Sequence, residues 1–137
     1  MIPERYAPST YALFRIVFGL VFFFFGLQKT MGWFGGQAVG DFMSLQGAAG
    51  IVETLCGFLI MVGLFTKPAA FLASGEMAVA FFYIHVMMVG MPKLGIPAGL
   101  VPHMNGGVDS VLFCFAFLYI ASRGAGIWSA DAAMGRK

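Results

Sequence analysis

Arg15, Glu53, Glu76, His85 and Asp109 stand inside or at the rim of long apolar runs, in a chain with few charges to spare. Each ionisable group at the centre of a membrane helix costs roughly 2.5–3.5 kcal/mol before it is paired. Residues of these types can form buried ion pairs, carry protons or hold a polar ligand. Lys29, His103 and Asn105 lie just beyond the same runs and could complete such a group. Each also has an architectural reading. Arg15 could snorkel to the headgroups, and Lys29 could anchor at the interface. His85 could be a structural hydrogen-bonder, and Asp109 a helix-start residue. Glu53 and Glu76 are out of easy reach of water and call for partners inside the protein.

The elements that must position these residues follow from composition. The 137 residues are 60% hydrophobic and 10% charged, with mean hydropathy +0.88 and net charge +2. A soluble domain carries about a quarter charged residues. The small, scattered positive charge gives no nucleic-acid surface, the apolar content excludes disorder, and two cysteines exclude a disulfide scaffold. Four runs approach the ~20 residues that cross a bilayer: about 11–28, 47–65, 68–89 and 106–121, the last only just. Strands would alternate apolar and polar residues, which Val21-Phe22-Phe23-Phe24-Phe25 does not. The expected fold is an all-α membrane protein, an antiparallel four-transmembrane-helix bundle with residues 1–137 as one membrane domain. The first run exceeds a signal-peptide core and no small-residue cleavage site follows, so it is expected to be retained.

Connections and charge give the threading. Thr66-Lys67-Pro68 joins the second and third helices so tightly that they must be antiparallel neighbours. Residues 29–46 form a Gly-rich loop with Trp33 and Phe34 as interfacial anchors; residues 90–105, with Pro92, Pro97 and Pro102, form a second loop able to act as a lid. Arg5, Lys67, Arg123, Arg136 and Lys137 share a side with the N-terminus, whereas Lys29 and Lys93 lie opposite. The positive-inside rule then puts both termini in the cytoplasm. By helical rise Arg15 lies about 6 Å and Glu76 about 12 Å from that side, near enough to predict a buried ion pair. The opposite half is expected to gather Lys29, Glu53, His85 and Asp109, roofed by His103 and Asn105.

Other chemistries find less support. Haem would need facing axial ligands, and only His85 lies within a span. Cys56 and Cys114 fall on separate helices with no C-x-x-C pair, and are read as packing residues. No metal-ligand spacing and no phosphate loop appear. The phenylalanine-rich faces are most simply lipid-facing or core, and would also suit the isoprenoid tail of a quinone. Gly19, Gly26, Gly50 and Gly57 are expected where helices approach closely.

Arg15-Ile16-Val17-Phe18-Gly19 followed by Gly26-Leu27-Gln28-Lys29 resembles the opening of the DoxX family. Glu53, Gly57 and the stretch Gly63-Leu64-Phe65-Thr66-Lys67-Pro68-Ala69-Ala70 resemble its second-to-third helix hairpin. Asn105-Gly106-Gly107 and the Gly124–Asp131 segment resemble its N-G-G-E and G-P-G-x-x-S-x-D elements. Val108 stands where the family carries an acidic residue, and Asp109 follows about 100° round the helix. The resemblance implies a small membrane subunit accompanying a quinone-linked respiratory or sulfur/thiol redox system. On that reading Lys29, Glu53 and His85 are the catalytic candidates, lining an outer pocket where protons are exchanged with a quinone, and the redox centre belongs to a partner subunit. Two alternatives stay open: a non-enzymatic assembly factor or structural subunit, and a small-solute or proton permease. The sequence names neither substrate nor partner nor oligomeric state.

Overall fold

The computed structural model describes residues 3–90 and 99–136, and every regular element among them is helical. Helix α1 runs Ala7–Met31 behind a short 3-10 turn, with a proline in its first turn, where no amide partner is lost. Helix α2 runs Leu45–Val62. Its N-cap is Ser44, whose Oγ accepts from the Gly47 amide at 3.1 Å. Helix α3 covers Thr66–Val79 and continues as a π-helix over Ala80–Gly90. Two short helices, α4 (Pro102–Asn105) and α6 (Ala130–Ala133), flank the last long one, α5 (Val108–Arg123).

Among the described residues three helices are long and apolar enough to cross a membrane: Glu4–Met31, Leu45–Val62 and Thr66–Val89. The α5 helix has 16 residues and so spans about 24 Å, short of the ~30 Å hydrocarbon core. Of the four spans expected from the sequence, the last only just long enough, three are membrane-capable helices and the fourth is shorter. Gly106 and Gly107 stay outside α5, because Gly106 takes a left-handed φ of 76° as the cap of α4.

Contacts fix the directions. Gly19 of α1 lies against the Gly57–Met61 turn of α2, and Gly26 against Thr54, so these helices are antiparallel. A Cβ on Gly19 would sit 2.8 Å from the Met61 Cα, which is why the backbones can meet only through glycine there. Ser74 of α3 donates to the Cys114 carbonyl of α5 at 2.8 Å, while His85 meets Asn105, so α3 and α5 are also antiparallel. Between the two pairs lies a core of Phe22, Phe113, Phe117, Ile60, Ile120, Ala70 and Ala73. Phe22 and Phe117 pack nearly edge to face with centroids 4.7 Å apart. The outward faces carry large apolar residues such as Phe71 (68% exposed) and Phe115 (65%). Water would penalise that surface; a bilayer does not.

The third helix departs from regular α geometry. Phe81 and Val86 are both buried although five residues apart. In an α-helix that spacing would turn them about 140° away from each other, whereas an i-to-i+5 hydrogen-bond pattern brings them near one side.

Candidate functional site

The buried charges divide into two groups at opposite ends of the protein. At the end carrying both termini, Arg15 is completely buried. The expected pair with Glu76 is not made. Arg15 Nη1 donates to the carbonyls of Ile60 (2.8 Å) and Met61 (2.9 Å), and Nη2 to those of Trp128 (2.7 Å) and Ile127 (3.4 Å). Ile60 and Met61 end α2, where carbonyls lack intrahelical partners and the helix dipole is negative. Arginine supplies several donors in one plane and so caps α2 while holding the chain after α5. Depth alone suggested Glu76; the nearer and more numerous acceptors are backbone.

A carboxylate completes this lock. Asp131 Oδ1 accepts from the Phe65 amide, and Oδ2 from the Thr66 amide and hydroxyl, each at 3.0 Å. It thereby caps the start of α3 from another part of the chain, and its own amide donates to the Gly63 carbonyl at 2.8 Å. Burial pushes the Asp131 carboxyl up, but the Thr66 and Phe65 hydrogen bonds outweigh it and hold the group below its ordinary value. Gly63 is required twice over. Its φ is 72°, and a Cβ would meet Arg15 Nη1 at 2.7 Å. Sequence reasoning did not find the role of Asp131; its partners lie 65 and 66 residues away.

At the other end lies a cavity of about 470 Å³ between α1, α2 and the third helix. Lys29, Glu76 and His85 line it among apolar neighbours that include Val52, Val79 and Ile84. Lys29 Nζ donates to Glu53 Oε1 at 2.5 Å, the one salt bridge among the described residues. Glu53 is 2% exposed, and its second oxygen, Oε2, is buried without a partner. Glu76 also has a buried, unpartnered Oε2. The Glu76 carboxyl lies close enough to Glu53 and Lys29 for their charges to act on it. Buried polar atoms are nearly always hydrogen-bonded, so the orphaned Glu76 oxygen in the cavity wall, with a second orphan on the Glu53 carboxylate that Lys29 holds, marks a place built for a further polar group.

His85 is held from behind. Its Nδ1 lies 3.2 Å from the Asn105 carbonyl, which can only accept. The neutral ring therefore carries its proton on Nδ1 and leaves Nε2 as a free acceptor. Asn105 is itself fixed, donating to the Gly99 carbonyl at 2.6 Å and accepting from the Gly107 amide at 2.8 Å. Asn105 thus meets His85 through its carbonyl and does not line the cavity. His103 and Asp109 are exposed and outside it. Pro92, Pro97 and Lys93 of the lid reading fall outside the described residues. Cys56 and Cys114 are free thiols, the latter 3.6 Å from the Ser74 hydroxyl. No cluster of three or more metal-ligating side chains occurs among the described residues.

Comparison with known proteins gives two matches and one blank. The family model DoxX matches residues 10–86, which is more than half of the chain. A Haemophilus influenzae protein, described only as uncharacterized, is 38% identical over 133 residues, covering 93% of this chain and 92% of its own. No solved structure matches.

Proposed function

The chain belongs to the DoxX family of membrane proteins, and from that premise we propose that it is an accessory subunit of a quinone-linked respiratory or sulfur/thiol redox complex. The cavity lined by Lys29, Glu76 and His85, with Glu53 paired to Lys29, would serve as its quinone or proton site. We place it in a bacterial inner membrane as a four-crossing bundle, α5 completing the set, with both termini cytoplasmic and the cavity towards the outer face. The observation that carries the reading is a largely apolar cavity lined by Glu76, whose Oε2 is buried and unpartnered, and by Lys29, which holds the equally unpartnered Glu53 carboxylate through its other oxygen. A cavity of about 470 Å³ falls within the ~300–1,000 Å³ range of small-molecule sites.

The residues present fit a quinone headgroup. Val52, Val79, Ala80 and Ile84 offer an apolar wall for ring and tail, and Glu76 and His85 offer polar groups for the ring oxygens. A bound quinone supplies a carbonyl–hydroxyl couple that takes up or releases protons with electrons. In this role Lys29 fixes the Glu53 carboxylate through Oε1 and leaves Oε2 unpartnered. Glu76 Oε2 holds or yields a proton at the cavity, and His85 Nε2 accepts one while Asn105 keeps the ring oriented. Electrons enter and leave through a partner subunit.

The test is extraction and binding. Protein purified in native lipid particles should co-purify with quinone, and a short-chain benzoquinone should bind the wild type. Glu76→Gln, which preserves shape, should weaken that binding severalfold without changing expression. A protein without extractable quinone, and with equal affinity in both forms, would favour a structural or assembly role.

A further inference from the structure

Three cations that the proposed function does not use meet at the end bearing the termini. Lys67, Arg123 and Arg136 line one groove of about 400 Å³ together with Ala125, Gly126 and Gly135. They come from three elements: the start of α3, the end of α5 and the segment after α6. Each is held in place by its stem or its flat face. Arg123 lies over the Tyr11 ring at 5.4 Å, and Arg136 over the Phe65 ring at 4.8 Å. The Lys67 side chain lies along Gly124, where an added Cβ would sit 3.0 Å from its Cε. None of the three makes a salt bridge to a described residue. The nearby carboxylate, Asp131, feels Arg136, but its oxygens are taken by Phe65 and Thr66. The groove is thus a positively charged cradle whose own anion is already engaged.

A second hollow adjoins it. Arg123 and Tyr11 line an opening with Pro8 and Ile127, and Tyr11 also borders a hollow of about 440 Å³ with Ala7, Phe14, Tyr119 and, at its rim, Glu4. Arg123 is common to the groove and the opening, and Tyr11 to the opening and the hollow, so the cations adjoin an aromatic, apolar recess. Free phosphate would need only the cradle. An anionic phospholipid uses both parts, its phosphate among the cations and an acyl chain along Phe14 and Tyr119.

We propose that Lys67, Arg123 and Arg136 form a binding site for the headgroup phosphate of an anionic phospholipid. The site is separate from the cavity at the opposite end and independent of its function. Basic pockets at helix ends recognise such headgroups through charge, at a strength that falls as each cation is removed.

Native mass spectrometry of the full chain, titrated with phosphatidylglycerol and with phosphatidylcholine, tests this. Phosphatidylglycerol should bind the wild type at least about tenfold more tightly than phosphatidylcholine. Arg136→Gln and Lys67→Gln should each reduce the phosphatidylglycerol affinity about fivefold and leave phosphatidylcholine unchanged. These two variants spare the Arg123–Tyr11 stacking, and thermal unfolding of each, read alongside, controls for the lost Arg136–Phe65 contact. Arg5→Gln, an exposed cation outside the groove, should change neither lipid. Equal loss from Arg5→Gln would mean a diffuse charge effect and overturn the site. Unchanged binding in Arg136→Gln and Lys67→Gln would overturn it as well. Displacement of phosphatidylglycerol by millimolar inorganic phosphate would reassign the cradle to a free anion.

Discussion

Arg15 and Glu76 show how far one side chain's role can be read without a structure. Helical rise gives depth, and depth put the two within reach; it says nothing about which way each faces round its helix. Arg15 turns to the ends of α2 and of the post-α5 segment, where four carbonyls accept from it, and Glu76 turns to the cavity. Lys29, Glu53 and His85 could be grouped because they lie at one end; the structure puts Lys29 and His85 in the cavity wall and pairs Glu53 with Lys29. The altered assignment is testable by a double-mutant cycle on unfolding in detergent. Arg15→Met should cost roughly 3–5 kcal/mol, as when a buried charge network is broken. Glu76→Gln should cost little, and the double variant should equal the sum of the two, with coupling below about 0.5 kcal/mol. Strong coupling would restore the direct pair. A second cycle probes the pair that is present. Lys29→Met strands the buried Glu53 carboxylate and should destabilise by about 3 kcal/mol, less some relief from the lysine's partial exposure. Glu53→Gln added to Lys29→Met should recover most of the loss.

Among the elements, the turn between α2 and α3 is where the ends of the chain are tied together. Gly63 at positive φ ends α2, Asp131 caps α3, and Arg15 reaches both the last α2 carbonyls and the segment just before Asp131. The sequence displays these residues as parts of motifs, yet their joint purpose depends on contacts across the whole chain and so could not be read locally. The π-helical stretch over Ala80–Gly90 was hidden for another reason: an apolar run looks alike whether its hydrogen bonds span four residues or five. Gly63→Ala should be strongly destabilising, since it adds both backbone strain and a clash with Arg15. Asp131→Ala should cost about 1–2 kcal/mol, the usual range for a lost helix cap. The Asp131 carboxyl titrates lower in the folded protein than in the unfolded chain. Its stabilisation is therefore complete above the ordinary aspartate value near pH ~3.9 and is lost as pH falls through the lower folded value. Thermal unfolding followed by circular dichroism between neutral and strongly acid pH should show a decline in the wild type that is shallower in Asp131→Asn.

For the whole molecule, hydropathy and loop charge carried most of the fold: helices instead of strands, antiparallel neighbours, both described ends on one side. What they could not give was the short reach of α5, because helix caps at Gly107 and Gly124, not apolarity, set its length. The positive-inside argument predicts that a periplasm-active reporter inserted within 90–105 is active and one fused after Lys137 is silent. The opposite pattern would put the cavity on the cytoplasmic side and the basic groove outside. The central claim, however, is that the cavity exchanges protons with a quinone in service of a redox partner. Its most direct test is quinone-dependent turnover in membranes whose only copy of this chain carries Glu53→Gln, read beside co-purification of the partner subunits. Turnover should fall at least about tenfold, in the range by which proton-transfer groups accelerate reactions, while co-purification stays at the wild-type level. Full turnover with Glu53→Gln, or loss of the partners instead, would contradict it.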